Sequence, residues 1–231
     1  MKIGIIGAMA QEVEVLKQNL QDIQTWKMAG ATFYSGNYAD HEVIVVQSGI
    51  GKVLSSITTS LLIQQYEVDA IINTGSAGGI GSGLAVGDLV VSDKLAYYDV
   101  DVTAFGYLYG QLPAGMPLYY EADEKLLAAV EKAAKKTGHQ VKKGLIVTGD
   151  SFISSSDKIK EILSHFPEAL ACEMEGAAIA QTARQFDVPF LVVRAMSDTA
   201  NQEATVSFDE FIEEAGKRSA EMVLAFVEAV E

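Results

Sequence analysis

The sequence predicts an α/β fold in which helices flank a central, mixed and twisted β-sheet. Short segments rich in Val and Ile alternate along the chain with longer segments that have helical periodicity. Several short segments are apolar on both faces, as at Ile71–Ile72 and Leu191–Val193, which is typical of strands covered on both sides. The 231 residues contain no repeat, low-complexity stretch or Pro-rich linker, so we expect a single domain over residues 1–231.

Eight segments bounded by Gly, Asp or Asn are predicted to be strands. They are Lys2–Gly7, Thr32–Tyr38, Glu42–Ser48, Ala70–Thr74, Asp88–Asp99, Val141–Thr148, Leu170–Glu173 and Phe190–Ala195. The first of them, followed by Ala8-Met9-Ala10, also has features of a signal peptide. The run is short, is broken by two glycines and is followed at once by acidic residues, so a first strand is favoured.

Six segments are predicted to be helices. They are Gln11–Leu20, Val53–Gln65, Glu124–Thr137, Ser156–Phe166, Gly176–Phe186 and Phe208–Val230. The last helix repeats large or small apolar residues on one stripe, at Phe208, Phe211, Ile212, Ala215, Met222, Val223 and Phe226. Ser219 interrupts this stripe with a small polar side chain, which a helix face tolerates.

The charge of the chain argues against several classes of partner. Acidic residues number 31 and basic residues 17, which gives a formal net charge of −14. Nucleic-acid backbones and anionic membranes are bound largely by clustered Lys and Arg, so neither is expected as a partner. The only arginines are Arg184, Arg194 and Arg218. Because Arg is the preferred bidentate partner of phosphate, a phosphate site built from the first 183 residues would depend on Lys or backbone amides.

Cysteine and histidine usage argues against disulfides and against a zinc site. Cys172 is the single cysteine, and the three histidines are far apart in the sequence and lack HExxH spacing. No apolar run reaches the ~18 residues of a membrane span. We therefore expect a reduced, cytoplasmic protein that uses no metal or other cofactor.

The segment Thr103–Tyr120 fits neither the strand nor the helix pattern. It is a long loop with many aromatic and large apolar side chains around two prolines. Such a loop either packs on the body of its own chain or forms a contact with another chain. A homodimer contact is favoured, because Tyr and Phe are enriched in interface cores.

A glycine-rich stretch, Asn73–Gly81, follows a predicted buried strand. Glycines allow a backbone to pass close to a ligand, although an ordinary turn explains the cluster equally well. The stretch does not match the GxGxxG dinucleotide fingerprint, and Gly51-Lys52 lacks the other residues of a P-loop.

Carboxylates lie near the ends of three predicted strands. Glu12 falls in the first turn of a helix, where the helix dipole explains it or where it holds a water as general base. Glu173 and Glu175 enter an apolar helix, where a carboxylate can accept both hydroxyls of a sugar diol or simply complement the dipole. Asp198, after Ser197 at a strand end, is either a turn residue or a catalytic group. Mg²⁺ or Ca²⁺ is a rival use of three carboxylates, but DxDxD clustering is lacking.

Together these motifs resemble the 5′-methylthioadenosine/S-adenosylhomocysteine nucleosidases, a family of the nucleoside phosphorylase superfamily. The resemblance rests on GSAGGIG (residues 75–81), with Glu12 upstream and EMEG (173–176) and VVRAMSD (192–198) downstream. It runs essentially from end to end, with no departure at a principal position. It implies a nucleoside phosphorylase-like fold and hydrolysis of the N-glycosidic bond between adenine and a 5′-thio-substituted ribose, in methionine salvage.

The resemblance also assigns roles to residues. Glu12 corresponds to the residue that holds and activates the water, Asp198 to the acid that protonates adenine N7, and Glu175 to the residue that binds the ribose hydroxyls. Further substrate-binding residues implied in this way are Met9, Ile50, Ser76, Ala77, Gly78, Phe152, Ile153, Met174, Arg194, Ser197 and Phe208. A neighbouring subunit is implied to lend Val102, Phe105 and Pro113 to the 5′-alkylthio pocket, which agrees with the contact expected from the loop.

The implied chemistry suits these residue types. Protonation at N7 lets adenine leave as a neutral molecule while the ribosyl group develops oxocarbenium character, which carboxylates stabilise. We therefore expect burial to raise the pKa of Asp198. The alternatives are a purine nucleoside phosphorylase of the same fold, which would need a phosphate site, and a nucleoside-binding sensor without turnover, which would need no acid–base pair.

Overall fold

Ten strands join into one mixed sheet in the computed structural model, which describes residues 1–199 and 204–230. The strands are β1 (Lys2–Gly7), β2 (Gln21–Met28), β3 (Ala31–Tyr38), β4 (His41–Gln47), β5 (Ala70–Gly79), β6 (Leu89–Tyr97), β7 (Tyr120–Glu121), β8 (Val141–Thr148), β9 (Ala169–Glu173) and β10 (Phe190–Thr199). The helices are α1 (Ala10–Asn19), α2 (Lys52–Tyr66), α3 (Glu124–Thr137), α4 (Ser156–His165), α5 (Gly176–Gln185) and α6 (Ala204–Val227). The predicted α/β class is confirmed.

The sheet curls on itself because β10 pairs with two strands. The strand order is β10-β6-β8-β9-β5-β1-β4-β3-β2, with β7 on β6, and β10 also pairs in parallel with β5. Strands β10, β6, β8, β9 and β5 therefore form a closed ring, from which β1, β4, β3 and β2 extend. The sequence predicted the mixed sheet but not its closure, since the β5–β10 pairing joins segments far apart in the chain.

Three adjacent parallel strands, β1, β5 and β10, bring their carboxyl ends to one edge of the sheet. Ile6 of β1 aligns with Asn73 of β5, and Arg194 of β10 aligns with Gly75 of β5. These strands are buried almost throughout, in keeping with the predicted two-sided burial. Helices α1, α3 and α6 pack together, α2 packs against α5, and both groups contact strands of the sheet. Ligand sites in such sheets lie at the carboxyl ends of parallel strands.

Two strands continue well past their predicted ends. β5 continues through the glycine-rich stretch to Gly79, where it pairs with β10 and β9, so the ordinary turn is excluded. β10 continues past Ala195 to Thr199 across a β-bulge between Met196 and Asp198. Bulges of this kind change the direction in which side chains point, and this one lies at the predicted acid.

Two strands were not predicted at all. β2 is an edge strand whose residues are mostly exposed and polar, so it lacks the Val and Ile content used to recognise strands. β7 is only two residues long. Neither strand lies next to the predicted site residues in sequence.

Part of the segment Thr103–Tyr120 is uncovered in the single chain. It begins with a short 3₁₀ helix over Thr103–Phe105, and the side chains of Phe105 and Leu108 are 82% and 61% exposed. Tyr109, by contrast, stacks on His165 of α4 with ring centres 3.7 Å apart. The loop therefore packs on its own chain at one point and presents apolar side chains to its surroundings at another.

Helix α6 begins four residues before the predicted helix and buries its apolar stripe. Ile212, Ala215, Met222, Val223 and Phe226 are buried, and Ser219 between them is fully buried as well.

No helix in the described ranges is both long enough and apolar enough to cross a membrane.

Candidate active site

A cavity of about 340 Å³ opens where β1, β5, β9 and β10 end. It is lined by Ala8, Met9, Glu12, Ile50, Ser76, Ala77, Gly78, Phe152, Cys172, Glu173, Met174, Glu175, Arg194, Ser197, Asp198 and Phe208. Its volume is in the range of small-molecule sites. A larger groove of about 970 Å³ runs between α1 and α6, but its lining is dominated by charged surface residues. The smaller cavity is the candidate site because the buried ionisable side chains converge there.

Glu12 is held from two directions. Its Oε2 atom accepts hydrogen bonds from the backbone N–H groups of Ala8 (2.8 Å) and Met9 (3.1 Å). Its Oε1 atom accepts from the backbone N–H (3.0 Å) and the hydroxyl (3.1 Å) of Ser76. The carboxylate thus caps the first turn of α1, as the helix-dipole interpretation expects, and it also lines the cavity at the end of β5.

Asp198 has an environment suited to holding a proton near neutral pH. The side chain is buried, and the hydroxyl of Ser197 donates a hydrogen bond of 2.9 Å to its Oδ1 atom. Burial raises the pKa of Asp198 from an ordinary value of 3.8 to about 6, although the Ser197 hydroxyl acts in the opposite direction. The expected rise in this pKa is therefore present in the structure.

Glu175 lies between a helix N-terminus and a buried guanidinium. Its Oε1 atom accepts from the backbone N–H of Gly51 at 2.8 Å, just before α2, and its Oε2 atom accepts from Arg194 at 3.2 Å. Burial raises the pKa of Glu175, while the positive charge of Arg194 lowers it. The carboxylate is thus fixed in position on the cavity wall.

Arg194 joins the buried carboxylates. Its Nη2 atom donates to Asn73 (2.6 Å), to Glu173 and to Glu175, and its Nη1 atom donates to the carbonyl of Ser76 at 3.2 Å. The side chain is 1% exposed. Because both terminal nitrogens of its guanidinium already donate to protein acceptors, Arg194 fixes the positions of the carboxylates at the cavity wall.

Glu173 is the carboxylate of this network to which the resemblance assigned no role. It accepts hydrogen bonds from Arg194, from the Thr148 hydroxyl and from the backbone N–H groups of Glu175 (3.0 Å) and Gly176 (2.7 Å). The sequence did contain a hint of this ion pair. Two carboxylates next to a buried strand need a cation, and Arg194 is the only Arg within a predicted strand. Asn73 and Thr148 carried no comparable signal, since buried amides and hydroxyls are common in strands.

The glycines of β5 allow the carboxylates to approach the strand. A Cβ atom on Gly75, whose φ is +149°, would lie 2.5 Å from Oε1 of Glu12, and one on Gly78 would lie 3.2 Å from Oδ2 of Asp198. Any larger residue at Gly75 would displace the Glu12 carboxylate. The sequence analysis expected these glycines to let the backbone pass close to a ligand, and the groups that approach the backbone here are the protein's own carboxylates.

Apolar side chains form the rest of the cavity wall. Phe152 and Phe208 meet edge to face, with ring centres 5.4 Å apart and an interplanar angle of 75°. Met9, Met174 and Ile50 also line the cavity. Ile153 lies in an adjoining small cavity together with Gly78 and Asp198 rather than in the main one.

The three residues expected to serve a neighbouring subunit, Val102, Phe105 and Pro113, do not line the cavity of their own chain. The remaining predicted site residues, apart from Ile153, all do. Within the described ranges, no group of three or more His, Cys, Asp or Glu side chains has the arrangement of a metal site.

Comparisons with known proteins identify the family to which the chain is similar. The family model described as the phosphorylase superfamily matches residues 2–228. A relative from Shewanella pealeana, named 5′-methylthioadenosine/S-adenosylhomocysteine nucleosidase, is 54% identical over 99% of each chain. The solved structure of the nucleosidase of that name from S. pneumoniae, with a transition-state inhibitor, is 54% identical over 100% of each chain, with a TM-score of 0.96. The Neisseria meningitidis structure, in complex with methylthio-immucillin-A, is 44% identical over 99% of each chain, with a TM-score of 0.97.

We predict that Glu173→Gln destabilises the protein by about 3 kcal/mol, because the buried guanidinium of Arg194 loses one of its two carboxylate partners and keeps only Glu175. The two backbone donors share one oxygen of Glu173, so the amide can keep its oxygen there but turns its N–H group towards the Thr148 hydroxyl, which is a donor in the parent. Urea unfolding at pH 7 measures the change. Glu168→Gln is the control, since Glu168 pairs with Lys94 at the surface and its loss should change stability by under about 1 kcal/mol. Equal decreases in the free energy of unfolding of the two variants would contradict a stabilising role for the buried network.

A second prediction concerns the pH dependence of stability. The pKa of Asp198 is about 6 in the folded chain against 3.8 for an ordinary Asp, so the folded state binds the proton more tightly. The contribution of Asp198 to stability therefore falls as pH rises from about 4 to about 6 and stays low above that. Asp198→Asn lacks this titration.

Relative to the parent, the free energy of unfolding of the variant should therefore be higher at pH 7 than at pH 4. Urea unfolding of both proteins at the two pH values measures this difference. Its amide oxygen can still accept from Ser197, so the hydrogen bond is matched. A stability difference that does not change with pH would show that the pKa is not raised.

Proposed function

We propose that this chain, which belongs to the 5′-methylthioadenosine/S-adenosylhomocysteine nucleosidase family of the phosphorylase superfamily, hydrolyses the N-glycosidic bond of both nucleosides. The products are adenine and the 5-thio-substituted ribose, and 5′-deoxyadenosine is a further substrate of the same class. The observation that carries the proposal is that Glu12, Glu175 and Asp198 line one cavity. In this proposal the protein acts in the cytoplasm, in methionine salvage and in the removal of S-adenosylhomocysteine, the by-product of the methyl cycle.

The spacing along β5 supports opposite roles for Glu12 and Asp198. Glu12 bonds to Ser76, and Asp198 lies against Gly78 two residues further on. Alternate residues of a strand face the same side, about 7 Å apart. Inverting glycosidases separate their two carboxyl groups by about 6.5–9.5 Å to admit a water molecule beside the sugar. In this proposal the furanose lies between the two groups.

Asp198 then acts on the leaving group. With a pKa of about 6 in the free protein, it retains a proton in part of the molecules near neutrality, and enclosure by adenine would desolvate it further. Transfer of that proton to adenine N7 lets the base depart as a neutral molecule. Ser197 orients the acid through its hydrogen bond to Oδ1.

Glu12 acts on the other reactant. Its four donors, two on each oxygen, fix the carboxylate in position. They occupy all of its acceptor sites, so the catalytic water takes the place of the Ser76 hydroxyl, the one donor that can rotate away. The water adds to C1′ as the C–N bond breaks, and its proton passes to Glu12. The negative charge of the carboxylate also stabilises the cationic ribosyl group at the transition state.

The remaining lining residues suit the sugar and the base. Glu175 presents acceptors and no donor when ionised, as a 2′,3′-diol requires, and Met174 packs against the ribose. Phe152 and Phe208 provide aromatic surface for adenine, and the backbone at Ile153 reads its edge. Apolar surface dominates the wall, as in most small-molecule sites.

Phosphorolysis is the less favoured reaction. Arg194 is the only basic side chain among the lining residues, and its guanidinium already donates to Asn73, Glu173 and Glu175. A phosphate dianion next to Glu12 would meet a carboxylate rather than a cation. Water is therefore the nucleophile in this proposal.

We further propose a homodimer that completes the cavity. Apolar side chains at the start of α2 are unusually exposed, with Val53 at 70%, Leu54 at 41% and Ile57 at 39%. This end of α2 adjoins the site, because Ile50 lines the cavity and Gly51 bonds to Glu175. Lys52 pairs with Asp99 at 2.7 Å, three residues before Val102, and so ties α2 to the start of the exposed loop.

In the dimer, Val102, Phe105 and Pro113 of a second copy close the 5′-alkylthio end of the cavity. This would explain why Phe105, at 82% exposure, is left uncovered in the single chain. Large exposed apolar residues of this kind mark interaction surfaces.

The reaction is tested by incubating the protein with 5′-methylthioadenosine and measuring free adenine and 5-methylthioribose without phosphate. We predict that Glu12→Gln and Asp198→Asn each lower kcat by about 100-fold or more, the range typical of a lost general acid or base. Glu14→Gln, on the exposed face of the same helix, is the control and should retain activity. A ribose 1-phosphate product would identify a phosphorylase, absence of turnover in the parent would identify a binder, and near-parental kcat in either variant would refute that residue's role.

The dimer is tested by Val53→Asp, which places a charge on the exposed face of α2. Sedimentation should then show a mass near 24.7 kDa instead of twice that value, together with lower kcat/KM for 5′-methylthioadenosine. Ile23→Asp on the edge strand β2, where the side chain is 45% exposed, should leave the dimer intact. A parent protein that sediments as a monomer would refute the arrangement.

A further inference from the structure

Ser219, the polar interruption in the apolar stripe of α6, has every hydrogen-bonding position of its hydroxyl in use. It donates to the carbonyl of Val193 at 3.0 Å and accepts from the backbone N–H of Gly75 at 3.1 Å. The hydroxyl of Thr74 lies 2.7 Å away, and it is the donor of that bond because the single proton of Ser219 is already committed. The side chain is fully buried, so no water replaces these partners.

The two strand positions that Ser219 holds come directly before residues of the site. Gly75 precedes Ser76, whose N–H and hydroxyl bond to Glu12. Val193 precedes Arg194, which bonds to Glu175. Gly75 is aligned with Arg194 of β10, and the Ser219 hydroxyl bridges the N–H of Gly75 to the carbonyl of Val193 on that strand.

The same face of α6 also contacts α1 at Glu12, the partner of Ser76. Gly216 lies three residues before Ser219, and side chains at that spacing share a helix face. A Cβ atom on Gly216 would lie 3.0 Å from the carbonyl oxygen of Gln11 and 3.3 Å from the Cα atom of Glu12. Helix α6 therefore contacts the backbone of α1 at Glu12 and the backbone of β5 beside Ser76.

We infer that Ser219 and Gly216 are positioning residues for the Glu12 carboxylate, which they set through the backbones on either side of the Glu12–Ser76 hydrogen bonds. The inference rests on the proposed hydrolysis, in which Glu12 orients the water. Neither residue touches the cavity, and both act through others. A displaced Glu12 impairs the chemical step more than substrate binding, because the adenine and ribose contacts lie elsewhere on the wall.

The first test is Ser219→Ala. We expect kcat to fall by about 10-fold or more, with KM within about threefold, since displacements of 1 Å at a catalytic group can reduce rates by about 100-fold. Hydrogen exchange at the Gly75 amide should accelerate by about 10-fold or more, because its acceptor is lost. Ser219→Thr, which keeps the hydroxyl, should restore both values.

Ser92→Ala is the matched control. Ser92 is also fully buried, and its hydroxyl accepts from the backbone N–H of Val192 at 3.2 Å, on the same strand β10. Its loss removes one buried hydroxyl without contact to β5 and should leave kcat within about twofold. If Ser92→Ala lowers kcat as much as Ser219→Ala, the effect is general destabilisation and the inference is wrong.

The second test is Gly216→Ala, which acts on Glu12 from the side of α1. Ala favours helices over Gly, so a purely structural role predicts unchanged activity and an unchanged or higher Tm. Our inference predicts kcat at least about fivefold lower at unchanged Tm, because the new methyl group presses on the backbone at Glu12. This variant also decides the question if Ser219→Ala does not fold.

Parental kcat in both Gly216→Ala and Ser219→Ala would overturn the inference. The exchange measurement needs no turnover, so it separates this inference from the proposed function. A parent that releases no adenine would refute the hydrolysis alone, whereas unchanged exchange at Gly75 in Ser219→Ala would refute the contact made by Ser219.

Discussion

One buried guanidinium connects three of the four acidic side chains that line the cavity, Glu12, Glu173 and Glu175. Arg194 donates to Glu173 and Glu175 directly and reaches the carbonyl of Ser76, the residue that holds Glu12. Carboxylates gathered in an interior repel one another and lose their hydration, so they remain together only if a cation and backbone donors compensate. Those donors come from the starts of α1, α2 and α5, at Ala8, Gly51 and Gly176.

This constraint shapes the sheet around it. β5 must pass beside Glu12 and Asp198 without side chains of its own, which explains the glycines within a paired strand. The bulge in β10 changes the direction of the chain between Met196 and Asp198, where the acid faces the cavity. The path of β5 and β10 therefore determines where the carboxylates lie, and a change in the backbone of either strand would move them.

The sequence predicted much of this because its signals are local. Alternation of Val- and Ile-rich segments with helical stripes located six helices and the buried strands, and the resemblance gathered residues that do line one cavity. The extension of β5 through the glycine-rich stretch to Gly79 was not predicted, because it depends on pairing with β9 and β10. The place of Glu173 in the buried network could not be predicted, since its partners Thr148 and Arg194 are distant from it in sequence. The sites of Ser219 and Gly216 could not be predicted either, because only tertiary packing brings α6 against Glu12 and Gly75.

The proposed hydrolysis requires the nucleoside to lie between an acid and an oriented water molecule. The most direct measurement is a crystal structure of this protein with a carbon-linked analogue of 5′-methylthioadenosine that cannot be hydrolysed. We expect Oδ of Asp198 within hydrogen-bond distance of the atom at the N7 position and a water between Glu12 and C1′ on the opposite face of the ring, each at about 2.6–3.2 Å from its partner carboxylate. An analogue bound with both carboxylates on the same face, or with Asp198 away from the base, would contradict the account.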